Sequence, residues 1–314
     1  MRLFMLLIFL SGSAFGQSVD NARKLWESKK PAEAKAMLRG IKEENKEYAD
    51  AQYWLGFIAY SESDFDTAEE YFESAIDAND KKAEYHNWYG NTLGAIAGKS
   101  NMLKQGMLAP KMKSSWETAV SLKPDYIDPR ISLIQYYLQA PSMMGGSVDK
   151  AIEMANQIKK LKPAEGYRQM GNIYYREEKY VEAEKEFIAM ANADKTYESA
   201  LANYYVNQKQ YAKAFGLFEK TLAQNPDDML AAYQFGKVSA LSGERLDKGE
   251  AYLRNYLAYT PKPNEPSHAG ANMRLAQIAE KRGNKAEAKK LFETALKGDG
   301  SLKEAKEGLE RVSK

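Results

Sequence analysis

Apolar positions in this chain fall on a recurring trio: a small residue, a bulky one four places on, and a third core residue three places after that. The trio appears at Ala34/Leu38/Ile41, Ala68/Phe72/Ala75, Met112/Trp116/Ala119, Ala151/Ala155/Ile158, Ala183/Phe187/Met190, Ala214/Phe218/Thr221, Gly249/Leu253/Tyr256 and Ala288/Phe292/Ala295. Offsets of four and three put each trio on one face of a helix. Upstream of most trios lies a second cluster that ends in a small residue, as at Leu55-Gly56, Tyr89-Gly90, Met170-Gly171, Leu201-Ala202, Phe235-Gly236 and Leu275-Ala276. A small side chain there lets a second helix approach closely. Each unit is therefore expected to be a helical hairpin, stacked on its neighbours because one hairpin cannot bury both of its apolar faces alone.

The stretch LGFIAYSESDFDTAEEYFESAID, from Leu55 to Asp77, resembles the tetratricopeptide repeat (TPR) family almost slot for slot. That family repeats Leu-Gly, Ala, Phe and Pro about every 34 residues. Pro124, Pro163, Pro226 and Pro261 fall late in their units, where the ring ends a helix. The resemblance implies an all-α fold, a right-handed α-solenoid of about eight TPR-like hairpins over residues 17–314, with first helices lining a concave face. The segment Ala119 to Ala151 is similar to a subgroup of exported bacterial TPR proteins that share an Ala-Pro-x-x-x-Gly-Gly turn, a likeness that brings no activity with it.

Two intervals exceed the period, Ala75 to Ala119 and Ala119 to Ile158, which places insertions near 94–109 and 140–147. Insertions at one point of successive repeats emerge on one edge, so these two are expected to touch, away from the concave groove. Met102, Leu103, Met107, Leu108, Met143 and Met144 supply their apolar cover. Between Tyr256 and Ala295 the surplus sits at Pro261 to Pro266, read as a stiff extended link. Residues 301–314 carry one apolar stripe (Leu302, Ala305, Leu309, Val312) and capping-box spacing at Ser301 and Glu304, so they are expected to form a helix that closes the stack.

The first residues stand outside this pattern. Arg2 precedes a short apolar run, Leu3 to Leu10, and small residues lead to Ala14-Phe15-Gly16, so residues 1–16 read as a signal peptide cleaved after Gly16. The run falls well short of the roughly 20 apolar residues of a transmembrane anchor. The expected location is therefore the bacterial periplasm, with the mature chain soluble there. Absence of Cys excludes a disulfide framework and a thiol nucleophile.

Lys plus Arg is 45 against 43 Asp plus Glu, which leaves no electrostatic footprint for nucleic acid. Two histidines, His86 and His268, lie far apart and make neither a triad nor a metal set, so no enzyme activity, cofactor or metal is expected. Binding chemistry is expected on the concave face instead. The slot two places after the first member of each small-residue pair holds Phe57, Asn91, Gln135, Asn172, Asn203, Lys237 and Gln277. A run of carboxamides both donates to and accepts from a peptide backbone, which suits an extended segment of any sequence. Arg168 and Arg176 share the helix face of Asn172 and add carboxylate or phosphate chemistry. The function expected is a non-catalytic scaffold for a protein or extended peptide of the cell envelope. The alternative is a periplasmic binding protein for a small or oligomeric ligand on Tyr53, Phe57, Tyr60, Tyr175 and Tyr233.

Overall fold

The computed structural model describes residues 17–314, so the expected signal segment, 1–16, lies outside the described residues. Seventeen α-helices and no strand occur among them. The chain divides into two compact units between Lys179 and Tyr180.

The first unit holds α1 (Gln17–Glu27), α2 (Pro31–Arg39), α3 (Tyr48–Ser61), α4 (Phe65–Ala78), α5 (Ala83–Gly98), α6 (Met102–Leu122), α7 (Asp128–Gln139), α8 (Val148–Leu161) and α9 (Pro163–Arg176). The second holds α10 (Tyr180–Ala193), α11 (Glu198–Asn207), α12 (Tyr211–Gln224), α13 (Met229–Ser242), α14 (Leu246–Ala258), α15 (His268–Lys281), α16 (Lys285–Gly298) and α17 (Lys303–Ser313). The pairs α1/α2, α3/α4, α5/α6, α7/α8, α11/α12, α13/α14 and α15/α16 pack as antiparallel hairpins.

Six of the eight trios are buried at all three positions, and Met112 and Thr221 are the half-buried members of the other two. Ala68, Phe72 and Ala75 are wholly buried on α4, and Ala288, Phe292 and Ala295 on α16. Burying a side chain of the size of Phe or Leu contributes about 1.5–3 kcal/mol, so these stripes hold hairpin to hairpin. The helix starts are fixed locally. Asp64 accepts from the Thr67 amide, Asn101 from Lys104, Asp228 from Ala231 and Asn284 from Glu287, each satisfying an otherwise unpaired first-turn donor. Hairpin turns carry a residue with positive φ: Lys29 before α2, Ser63 before α4, Lys209 before α12 and Gly283 before α16. The α5/α6 turn has none, because there the second helix begins early at Met102 and runs through Pro110.

Two local expectations are corrected. Residues Pro261 to Pro266 do not form an extended link: the Glu265 amide donates to the Lys262 carbonyl and closes a turn, and the Tyr256 hydroxyl donates to the Pro266 carbonyl at 2.6 Å. The capping box at Ser301 and Glu304 does not form either. Ser301 donates to Asp299, while the Glu304 carboxylate accepts from the buried Arg274 at 2.6 and 3.1 Å and from Gln277 at 3.1 Å. A charge-assisted fork outcompetes a single local amide bond. Helix α17 nonetheless covers the end of the second unit, with Ala305 and Val312 packed into the cluster around Phe292.

Candidate functional site

The first unit holds a cleft of about 590 Å³ built on α5, α6 and α7 and the short 3-10 turn Ser142–Met144. Small residues open it: Gly94, Ala97 and Gly98 on α5, Gly106 and Ala109 on α6, and Ala140 beyond α7. Trp116 and Tyr136 floor it, 5% and 7% exposed. Burial and the nearby Glu117 hold the Tyr136 phenol above its ordinary range, so it stays protonated and donates to the Met144 carbonyl at 2.7 Å. That bond anchors the 3-10 turn against α7.

Two of the predicted carboxamides, Asn91 and Gln135, line this cleft. Oδ1 of Asn91 accepts from the Trp116 indole at 2.9 Å and from the Ser132 hydroxyl at 3.2 Å. Its oxygen is thereby committed, and the group it can offer a ligand is the Nδ2 donor. Gln105 donates Nε2 to the Ser100 carbonyl at 2.9 Å, which leaves its oxygen as an acceptor. Gln135 and Gln139 are exposed. The two added segments meet here: a Cβ on Gly106 would stand 3.7 Å from the Met144 methyl, and Met102 and Met144 line the cleft together with Asn91. The expectation that the insertions point away from the first-helix face is thus corrected; they wall it. Spacing along the chain does not tell which way an early helix start folds, so in the sequence the groove and the insertion read as separate surfaces.

The other predicted residues are distributed as follows. Asn172 and Arg176 are exposed on α9. Arg168 makes a two-pronged pair with Glu165 at 2.9 and 2.6 Å, and Glu165 is 6% exposed, so the guanidinium is neutralised in place. In the second unit, Asn203 is exposed on α11. Lys237 on α13 is half-buried, and burial first and Arg274 second pull its ammonium below the ordinary lysine range. Gln277 accepts from Arg274 at 2.9 Å while donating to Glu304.

Among the aromatic candidates, Tyr60 lines the cleft. It packs edge-on to Trp88, which packs edge-on to Phe57, and Trp26 and Trp54 close on Phe57 in turn. Tyr53 stacks on Tyr85 at 5.1 Å between ring centres. Tyr175 is 38% exposed on α9. Tyr233 is 6% exposed and packed against Tyr256, so its ring belongs to the core of the second unit and presents no face to a ligand. His86 and His268 each hydrogen-bond a backbone carbonyl at 2.7 Å, those of Asp80 and Tyr259. Among the described residues no cluster of three His, Asp or Glu side chains could hold a metal ion, and no helix is long and apolar enough to cross a membrane.

The family description "Tetratricopeptide repeat" matches the chain twice, over residues 25–90 and 238–302. No curated protein matches it. Solved structures do. A tetratricopeptide repeat protein from Parabacteroides merdae aligns at 15% identity with a TM-score of 0.52, covering 85% of this chain and 99% of that one. Yeast Tom70 aligns at 17% identity with a TM-score of 0.56, over 87% of this chain and 57% of its own length. With the buried trio, the hairpin architecture and both family matches in agreement, residues 25–90 and 238–302 are tetratricopeptide repeats, and the chain shares the fold of tetratricopeptide repeat proteins.

Proposed function

We propose that this protein is a non-catalytic scaffold that binds an extended segment of another protein on the first-helix face of its first unit. Tetratricopeptide repeats as a class serve as protein-binding scaffolds, and the local chemistry supports that use here. The observation that carries the reading is the cleft where Asn91 and Gln135 stand together, one with a free donor and the other exposed. Asn172, further along the same series, extends the set of carboxamides. Paired donors and acceptors match a peptide backbone without selecting its sequence.

Peptides selected from a displayed random library on the mature chain, then titrated by calorimetry, test the reading. Gln135→Ala with Asn172→Ala should weaken a selected peptide about tenfold, because each change removes hydrogen bonds worth roughly 0.5–1.5 kcal/mol. Equal affinity in wild type and the double variant would place the binding surface elsewhere.

A second reading, a small or oligomeric ligand held on the aromatic candidates, is favoured at Tyr60, which lines the cleft. Native mass spectrometry of the purified protein separates the two, since a carried ligand adds a discrete mass. We further read the protein as exported to the bacterial envelope, from the basic residue, short apolar run and small residues before Gln17. A periplasmic form that begins at Gln17 by intact mass supports this; one that begins at Met1 contradicts it.

A further inference from the structure

Charged residues make up 28% of this chain, yet the residues lining the first-unit cleft include none. The cleft combines thioethers (Met102, Met112 and Met144) with carboxamides that can pair with a backbone. The lysines of the same helix are outside the lining: Lys104 and Lys111 lie within electrostatic reach of Glu69, and Lys113 pairs with Glu117 at 3.5 Å. A charged side chain entering here would lose water and find no counter-charge, a cost that an apolar side chain does not meet. Thioethers are polarizable and turn about several bonds, so they close around side chains of differing shape. The floor speaks against a sugar. Trp116 and Tyr136 are almost wholly buried and offer no open ring face on which a pyranose can stack.

We propose that the cleft takes an uncharged peptide segment with a large apolar side chain, which seats among Met102, Met112 and Met144 while Asn91 Nδ2 donates to a backbone carbonyl of the segment and Gln105 accepts from a backbone amide. This rests on the peptide-binding reading above and names its partner's chemistry. The two added segments are then a specificity device: they supply Met102, Gly106 and Met144, the wall facing the first helices.

The test uses the full chain and a displayed random-peptide library, with the selected peptides then measured by calorimetry against two variants. At Gly98, which lines the cleft, a Cβ meets nothing within 4 Å, so Gly98→Phe starts in open space and adds bulk to the lining. Gln139 is exposed, so Gln139→Lys adds a charge to the lining without burying it. The expected result is a selected core free of Asp, Glu, Lys and Arg around one large apolar residue. Both variants should bind it at least about tenfold more weakly, a loss of about 1.4 kcal/mol, with melting unchanged. Selected peptides that carry charges in the seated core, or affinities unmoved by Gly98→Phe and Gln139→Lys, would overturn this inference while leaving peptide binding intact. A library that yields no binder above background would overturn both.

Discussion

At the scale of single residues, stability in this chain turns on backbone positions that composition hides. A left-handed conformation costs an L-residue roughly 1–2 kcal/mol, and three hairpin turns place Lys29, Ser63 or Lys209 in it where a fourth has Gly283. Ser63→Gly should therefore raise stability, by about 0.5 kcal/mol once glycine's extra unfolded-state freedom is subtracted; a lower denaturation midpoint would contradict the assignment. Close approach acts in the opposite sense. A Cβ on Gly236 would stand 2.3 Å from Leu253 Cγ, and one on Gly166 2.2 Å from the Lys159 backbone, so Gly236→Ala should cost about 1–3 kcal/mol and Gly166→Ala at least as much. Melts matching wild type would contradict the close packing. The trio was legible from its spacing alone, and so was the small residue in six of the first helices. The left-handed lysines and serine were not, since nothing in their type marks them. Nor was the fate of Tyr233, because periodicity locates an apolar slot without saying whether its ring faces a groove or a neighbouring helix.

At the scale of elements, pairs distant in sequence redirect what local patterns propose. Ser301 and Glu304 have the spacing of a capping box, but Arg274, 30 residues away, claims the carboxylate and drags it below the ordinary glutamate range. A group whose folded pKa is depressed adds stability above its unfolded value, about 4.3, and that contribution fades as pH falls through the folded value. Glu304→Gln should accordingly lower stability at neutral pH and flatten the acid side of the stability profile. Acid and neutral melts of the two proteins check this, and a wild-type acid slope in the variant would contradict it. Helix α6 offers a second case. Pro110 lacks the amide that would bond the Gly106 carbonyl, so the hydrogen-bond ladder of the added turns before it is interrupted, and most of their side chains are exposed. Amides of residues 103–109 should exchange with deuterium faster than those of 112–122, and uniform protection along α6 would show that the interruption is of no consequence. That residues 94–109 and 140–147 carry the extra length was readable from the lengthened intervals. That they wall the first-helix face depends on which way α6 extends, which no spacing specifies.

At the scale of the whole molecule, near-balance of charge and scarcity of histidine point to binding, and the fold supplies a surface suited to it. Charge is spread over exposed helix faces in ion pairs such as Lys35 with Glu62 and Lys123 with Glu84, while the cleft on α5, α6 and α7 is left without any. This contrast makes a clear spatial claim about where a partner binds. Hydrogen–deuterium exchange of the mature chain, with and without a selected peptide, tests that claim most directly. The account predicts slowed exchange in residues 83–98, 102–109 and 128–144, with α4 and α8 unchanged. Slowed exchange confined to α4 and α8, with the cleft segments untouched, would contradict it.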